Sequence, residues 1–312
     1  MKKAGIIGGS GFIGSHITKV FLNAGYEVKV STTNILREDK YEHLMTFNHS
    51  DNLHISELDV MDKATLKDFV SDCDIIVHSG TPFILDVKDP QTQLFDPTVK
   101  GTENFLEVIK NTSSIKKVVF VASVAGWNTN FPFPADGKNF ADTFDENDTR
   151  FTSTESHPYA QAKFIANQVV KKFITENQNL SFEITTVSPV GVMGKSLSKR
   201  EDSTSGGLQF LFKNKIAPDD FVKMLFDNDV PFSLVDVEDV ANGIYKAATI
   251  TGIHGKDYLL ATETYKVSDI SLMLNQKEPK EKGAIIYKND LAKKELNMNF
   301  KPVKYCLNNY SK

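Results

Sequence analysis

The sequence contains few cysteines. Only Cys73 and Cys306 occur in 312 residues, and they lie far apart along the chain. This spacing matches no common metal site and is unlike the dense pattern of a disulfide scaffold. We therefore expect two free thiols in a protein of a reducing compartment.

Long apolar runs are also missing. No stretch approaches the roughly 18 apolar residues that cross a membrane. Met1, Lys2 and Lys3 precede an apolar stretch, but that stretch is short, interrupted by glycine and without a convincing cleavage site. We interpret it as a strand, and we predict a soluble, cytoplasmic protein without a membrane partner.

Clusters of positive charge are absent too. The formal net charge is -4, with lysine and arginine scattered along the chain. Such a distribution gives no electrostatic footprint for nucleic acid. His43, His49 and His54 lack the spacing of a metal site, so we predict no metal. The 40% hydrophobic and 24% charged composition is that of an ordinary globular protein.

What the chain does have is an alternation of apolar strands and amphipathic helices. Strands are predicted at residues 4–8, 26–32, 53–57, 75–78, 117–122 and 183–187, and helices at 12–24, 63–70, 91–110 and 158–175. This order favours an α/β fold with a Rossmann-type doubly wound parallel sheet.

The alternation stops after Pro189, where residues 195–207 form a polar stretch. Strands at 232–237 and 257–261 are predicted to return to the large sheet, with a helix at 240–248 between them and Asp239 as its N-cap. We therefore predict a dinucleotide-binding domain of residues 1–190 plus about 232–262. A smaller, interleaved C-terminal region, about 191–231 plus 263–312, would bind substrate.

A glycine-rich turn joins the first strand to the first helix: Gly8-Gly9-Ser10-Gly11-Phe12-Ile13-Gly14. Glycines let the backbone turn tightly and approach a pyrophosphate, whose charge then meets the N-terminal end of the helix. Because the pattern lies between a predicted strand and a predicted helix, it indicates a dinucleotide site.

The end of the second strand bears on the choice of cofactor. An acidic residue there would bind the ribose 2'-hydroxyl of NAD, but this chain has Ser31-Thr32-Thr33-Asn34 with Arg37 nearby. We therefore favour NADP, with NAD as the alternative, although Arg37 could simply face water. Asp59 could meet the adenine edge or could equally form a turn.

Tyr159 and Lys163 form a chemical pair. Four residues are about one helical turn, so both side chains would share one face of the predicted helix. A phenol has a pKa near ~10, and a neighbouring cation stabilises its phenolate, so the pair could move a proton near neutral pH. Two surface residues at a common spacing are the alternative.

Taken together, these motifs make the chain resemble the extended short-chain dehydrogenase/reductases of the NAD-dependent epimerase/dehydratase superfamily. The motifs in family order are Gly8 to Gly14, Leu58-Asp59-Val60, Val77-His78-Ser79-Gly80-Thr81-Pro82, Val121-Ala122-Ser123, Tyr159 to Lys163 and Val187-Ser188-Pro189. Lys88-Asp89-Pro90 and Asp96 to Thr102 resemble the dihydroflavonol reductase and aldehyde/ketone reductase branch.

The resemblance implies roles for individual residues. Ser123 would orient a substrate carbonyl, Tyr159 would donate the proton, and Lys163 would bind the nicotinamide ribose and lower the pKa of the tyrosine. The implied cofactor contacts are Gly8, Ser10, Gly11, Phe12, Ile13, Gly14, Thr32, Thr33, Arg37, Asp59, Val60, Gly80, Thr81, Pro82, Lys163, Pro189 and Val192.

The expected activity is NAD(P)H-dependent reduction of a small ketone or aldehyde. Phe83, Trp127, Phe131 and Phe133 could line an apolar substrate pocket with Ser123 and Tyr159, or could equally be packing residues. A nucleotide-sugar epimerase or dehydratase is less favoured, because Ala125-Gly126-Trp127 replaces that group's tyrosine-glycine signature. A non-catalytic NAD(P)-binding sensor is a third possibility, although such proteins typically lose the tyrosine or lysine. Monomer and homodimer both remain open.

Overall fold

The computed structural model describes residues 1–82, 87–200 and 203–310. Its strands are β1 (Lys3–Ile7), β2 (Glu27–Thr32), β3 (Leu53–Glu57), β4 (Ile75–His78), β5 (Lys117–Val121), β6 (Glu183–Pro189), β7 (Gly191–Met193), β8 (Pro231–Asp236), β9 (Asp257–Leu260) and β10 (Glu263–Lys266). Seven form a sheet in the order β3-β2-β1-β4-β5-β6-β9. All its pairings are parallel, as predicted.

The α-helices are α1 (Phe12–Asn23), α2 (Lys63–Val70), α3 (Gly101–Lys110), α4 (Pro158–Glu176), α5 (Thr204–Asn214), α6 (Asp220–Asp227), α7 (Val237–Thr249), α8 (Val267–Leu274), α9 (Asp290–Glu295) and α10 (Val303–Asn309). Core residues of α1 and α7 pack on one face of the large sheet. Those of α2, α3 and α4 pack on the other. Successive strand residues such as Val118 and Val119 enter opposite cores, which explains why this strand is apolar throughout.

The helix predicted at residues 91–110 has two parts. Residues Gln91–Lys100 are π-helical and contain Pro97, and α3 continues directly from them. Proline lacks the backbone N-H that an α-helix requires in its interior. A wider π turn is one way in which a helix accommodates such an interruption.

A second sheet of three strands, in the order β10-β8-β7, corrects the predicted position of residues 232–237. This strand is β8, and it pairs with β7 and β10 instead of returning to the large sheet. The ring of Phe232 makes edge contacts with Phe131 and Phe212 in a separate apolar cluster, and these contacts stabilise the strand there. The predicted return of residues 257–261 is correct, since β9 pairs with β6.

The N-cap of α7 also differs from the expectation. Asp236, not Asp239, accepts the capping hydrogen bond, from the backbone N-H of Glu238 at 2.7 Å. Asp239 lies in the first turn and accepts instead from the backbone N-H of Lys301 at 2.7 Å. The helix therefore begins three residues earlier than predicted, at Val237.

Cys73 and Cys306 are both free and buried. Within the described ranges, no helix combines the length and apolarity that a membrane crossing requires. In the same residues, no group of three or more histidine, cysteine or carboxylate side chains could hold a metal ion.

Candidate active site

Tyr159 and Lys163 lie in the first turns of α4. Pro158 opens the helix, and the Nδ1 atom of His157 caps it by accepting from the backbone N-H of Tyr159 at 3.1 Å. The Lys163 ammonium lies 6.0 Å from the centre of the Tyr159 ring. The pair therefore shares one face of a helix, as its spacing predicted.

Ser123 joins this pair from the end of β5. Its hydroxyl accepts from the backbone N-H of Ala125 at 3.2 Å and lies next to the Tyr159 phenol, whose pKa it influences. Lys163 donates to the hydroxyl of Thr81 and, at 3.3 Å, to the carbonyl of Val121. Residues from three separate motifs of the sequence thus converge at the carboxyl ends of neighbouring strands.

The protonation of the pair is set mainly by burial. Desolvation raises the pKa of Tyr159 to about 12, and the hydrogen bond with Ser123 opposes that shift. Desolvation also lowers the pKa of Lys163 to about 8. The expected lowering of the tyrosine pKa by the lysine is therefore not the dominant effect in this structure. At neutral pH the phenol keeps its proton and the amine is mostly charged.

The glycine-rich turn lies opposite this group. Gly8 has a φ of 79°, which favours glycine, and a Cβ there would stand 2.8 Å from the Cα of Gly80. A Cβ on Gly14 would lie 2.0 Å from the carbonyl oxygen of Gly8. The turn leads directly into α1, capped by Gly11, so unpaired N-H groups and the positive end of the helix dipole meet here.

A cleft of about 230 Å³ connects the turn with the catalytic candidates. It is lined by Gly8, Ser10, Gly11, Phe12, Ile13, Gly14, Ser79, Thr81, Val121, Ala122, Tyr159, Lys163, Ser196, Ser198, Arg200, Ser203, Thr204 and Ser205. The lining combines a helix N-terminus, hydroxyl groups and two cationic side chains. These are the groups that hold a dinucleotide, so the residues present fit that cofactor.

The residues predicted to select the cofactor, at and after the end of β2, differ in exposure and in their hydrogen-bond partners. Thr32 is buried and its hydroxyl donates to the carbonyl of Asn34 at 3.2 Å, whereas Thr33 is exposed. Arg37 is exposed, and its guanidinium donates to both carboxylate oxygens of Asp39, at 2.8 and 2.9 Å. Neither Arg37 nor Asp39 is among the residues that line the cleft.

Asp59 forms a turn. Its carboxylate accepts from the backbone N-H of Met61 at 2.9 Å, and its carbonyl accepts from that of Asp62 at 3.0 Å. The sequence left two roles open for Asp59, contact with the adenine edge and formation of a turn, and this arrangement matches the second. Val60, which follows it, packs against Gly101 at the start of α3.

The other predicted cofactor contacts are not among the residues that line the cleft. Gly80 supports the glycine-rich turn, and Pro189 ends β6 beside Leu260 of β9. Val192 is buried in β7, and Pro82 follows Thr81 in an irregular segment. Phe83, which was predicted to line the substrate pocket, lies outside the described residues.

Three of the aromatic residues predicted to line a substrate pocket, Trp127, Phe131 and Phe133, lie close to other aromatic or cationic side chains. Trp127 is 4% exposed and its ring lies 3.6 Å beneath the guanidinium of Arg150. Phe131 contacts the rings of Phe232 and Tyr287. Phe133 lies near Phe140, at a ring-centre distance of 6.2 Å. For Trp127, a role in packing therefore fits the structure better than a place in the wall of a substrate pocket.

A buried polar network beneath the site was not foreseen from the sequence. Arg150 pairs with Asp257 at 2.6 Å and donates to the carbonyl of Gly126 at 2.8 Å and the amide oxygen of Asn167 at 2.6 Å. Asp257 also accepts from the hydroxyl of Ser188 at 2.8 Å. The network joins the segment after Ser123 to α4, β6 and β9. A lone arginine in a polar stretch carries no pattern that could have revealed it.

His78 is a second feature that the sequence did not reveal. It is 2% exposed and, with Thr102 and Asn167, lines a cavity of about 30 Å³ behind Lys163. Burial, and secondarily the charge of Lys163, lower the pKa of His78 to about 4. The imidazole is therefore neutral beside the ammonium group, and adds no competing positive charge.

Comparison with known proteins identifies a family model and several relatives. The model of the NAD dependent epimerase/dehydratase family matches residues 4–261. The chain is 28% identical over 253 residues to cinnamoyl-CoA reductase CAD2 of Medicago truncatula, covering 80% of this chain and 74% of that protein. It is 27% identical over 299 residues to the NADPH-dependent methylglyoxal reductase GRE2 of Saccharomyces cerevisiae, covering 90% and 84%.

Solved structures give the same fold. The crystal structure of yeast methylglyoxal/isovaleraldehyde reductase Gre2 complexed with NADPH superimposes with a TM-score of 0.81 at 23% identity, covering 98% of this chain and 96% of that one. Vestitone reductase from alfalfa superimposes with a TM-score of 0.74 at 18% identity, covering 100% and 97%. These matches confirm the predicted Rossmann-type fold.

Proposed function

The chain belongs to the NAD dependent epimerase/dehydratase family, and from this premise we propose that it reduces the carbonyl group of a small ketone or aldehyde. Tyr159 donates the proton, and NADPH is the cofactor. The observation that carries the proposal is the placement of the Tyr159 phenol and the Lys163 ammonium in one cleft with the glycine-rich turn, with Ser123 next to the phenol. Relatives described as carbonyl-reducing enzymes support it, including the NADPH-dependent methylglyoxal reductase.

The residues of the glycine-rich turn would hold the cofactor. Gly8, Gly11 and Gly14 would let the backbone approach the pyrophosphate, and the N-terminus of α1 would face its charge. The Lys163 ammonium would bind the hydroxyls of the nicotinamide ribose. When bound, the cofactor supplies the hydride that the protein's own side chains lack.

The chain's side chains would act on the carbonyl oxygen. The hydroxyls of Ser123 and Tyr159 both donate hydrogen bonds to it and polarise the carbonyl. During reduction of the carbonyl, the Tyr159 hydroxyl would give its proton to the oxygen and be left as a phenolate. The Lys163 ammonium stabilises that phenolate and becomes less effective as it deprotonates above pH 8.

We also propose the division of labour between the two sheets. The large sheet and its helices would bind the dinucleotide, and the small sheet with α5, α6, α8 and α10 would bind substrate. Support comes from the separate apolar cluster around Phe212 and Phe232. It also comes from the cleft, whose lining includes residues of the segment after β7 and of the start of α5 in addition to the glycine-rich turn. Two free, buried cysteines are consistent with action in the cytoplasm.

The test is turnover of NADPH with a panel of aromatic and aliphatic aldehydes and ketones. We expect Tyr159→Phe to lose about 10²- to 10⁴-fold in kcat, the range that general acid catalysis contributes, while it still binds NADPH. No oxidation of NADPH by the wild type, or unchanged activity in Tyr159→Phe, would refute the proposal. Activity on a parallel panel of nucleotide sugars would favour epimerisation or dehydration instead.

A further inference from the structure

Arg200 lies in the segment that follows β7, far in sequence from the glycine-rich turn. It nevertheless lines the same cleft as Ser10 and Gly11. Its guanidinium donates to the carbonyl oxygen of Lys40 at 2.7 Å. One side chain therefore connects the region after β7 with the region after β2.

The segment after β2 is itself fixed against α1. The hydroxyl of Ser15 and the Nε2 atom of His43 are hydrogen-bonded at 2.8 Å. Lys40 belongs to this segment, so its hydrogen bond connects Arg200, which lines the cleft, to the β2 side of the molecule. In a Rossmann-type fold, the end of β2 is where the adenosine ribose and its 2'-substituent are bound.

The charge of Arg200 affects His43, which belongs to this segment. Burial lowers the pKa of His43 and the positive charge of Arg200 lowers it further. Arg37, which the sequence favoured for a 2'-phosphate, donates instead to both oxygens of Asp39 and lies outside the lining of the cleft.

We propose that Arg200 binds the adenosine 2'-phosphate of NADPH and so determines the preference for NADPH over NADH. A guanidinium is suited to this role, because its planar donors match two phosphate oxygens and its charge persists at any physiological pH. The carbonyl of Lys40 orients the group toward the adenosine end of the cleft. This inference rests on the proposed function and names a residue that determines its cofactor specificity.

The segment that carries Arg200 also contacts α1, where the carbonyl of Lys195 lies 2.9 Å from the Nε2 atom of His16. Residues 195–200 therefore pass over the start of the helix that faces the pyrophosphate. Binding of a 2'-phosphate by Arg200 would hold this segment over the cofactor.

The test compares the dissociation constants of NADP⁺ and NAD⁺ by calorimetry in the full-length protein. We expect Arg200→Gln to weaken NADP⁺ binding at least tenfold and to change NAD⁺ binding less than twofold. Arg200→Lys, which keeps the charge but not the planar fork, should fall between Arg200→Gln and the wild type. Lys199→Gln is the matched control, because it removes an exposed charge from the adjacent position.

Two results would overturn the inference. An equal loss of NADP⁺ and NAD⁺ binding in Arg200→Gln would mean that the residue only supports the segment. A selective loss of NADP⁺ binding in Arg37→Gln, with Arg200→Gln unaffected, would return the role to Arg37. Because the readout is binding, a failure of the proposed carbonyl reduction would appear separately, as absent turnover in a wild type that still binds NADP⁺.

Discussion

The buried ammonium of Lys163 should reduce the stability of the folded protein. Its pKa falls from 10.5 to about 8 because of desolvation. A lysine with a lowered folded-state pKa destabilises the fold fully below that value, and the penalty disappears as pH rises from about 8 to 10.5. Each unit is worth about 1.4 kcal/mol, so the penalty is about 3 kcal/mol at pH 7 and about 1.4 kcal/mol at pH 9.5.

Lys163→Met removes this charge and keeps most of the apolar stem. The variant also loses the hydrogen bonds to Thr81 and Val121, but that contribution changes little with pH. We therefore expect the difference in unfolding free energy, variant minus wild type, to fall by about 2 kcal/mol between pH 7 and pH 9.5. Carbonyl reduction should be lost at both values.

Urea unfolding at the two pH values measures this difference. Lys172→Met is the matched control, because Lys172 lies on the same helix with a 74% exposed side chain. Its difference from the wild type should be the same at pH 7 and pH 9.5. A difference for Lys163→Met that is equally independent of pH would refute the reasoning, since the Lys163 ammonium would then carry no desolvation penalty.

Two further substitutions test the scaffold of the site. Arg150→Met should destabilise the protein by about 3–5 kcal/mol, since Asp257 would keep a buried charge without its cationic partner. Thermal unfolding measures this loss. Arg37→Met is the control, because it removes an exposed ion pair and should change stability by less than about 1 kcal/mol. Gly14→Ala should lower NADP⁺ affinity at least tenfold, because its Cβ would lie 2.0 Å from the carbonyl oxygen of Gly8. Calorimetry measures the affinity. An affinity equal to that of the wild type would contradict the close approach between Gly14 and the Gly8 carbonyl.

Much of the fold was predictable from local patterns. Apolar strands such as β5 and the turn from β1 to α1 depend on residues that are neighbours in sequence. The pairing of β8 was not predictable, because its period-2 pattern shows that it is half or fully buried but not against which sheet. Its place depends on the rings of Phe131 and Phe212, which are remote in sequence.

The candidate site follows the same division. Tyr159 and Lys163 are one helical turn apart, so their placement on one face of a helix can be predicted from the local sequence. Arg150 and Arg200 act through partners at Asp257 and Lys40, more than a hundred residues away. A single arginine in a polar segment has the same appearance in sequence whether it faces solvent or a buried carboxylate, so neither role could be predicted.

The position of β9 affects how the chain can fold as it is synthesised. This strand completes the edge of the large sheet beside β6, yet the residues of the small sheet's strands β7 and β8 lie between them in sequence. During synthesis β1 to β6 therefore leave the ribosome long before β9, which pairs with β6. Until β9 arrives, the backbone groups along the free edge of β6 stay exposed. Such an unpaired edge favours aggregation. Translation speed between residues 190 and 256 and early chaperone binding should thus influence the yield of folded protein more than they would for an uninterrupted sheet.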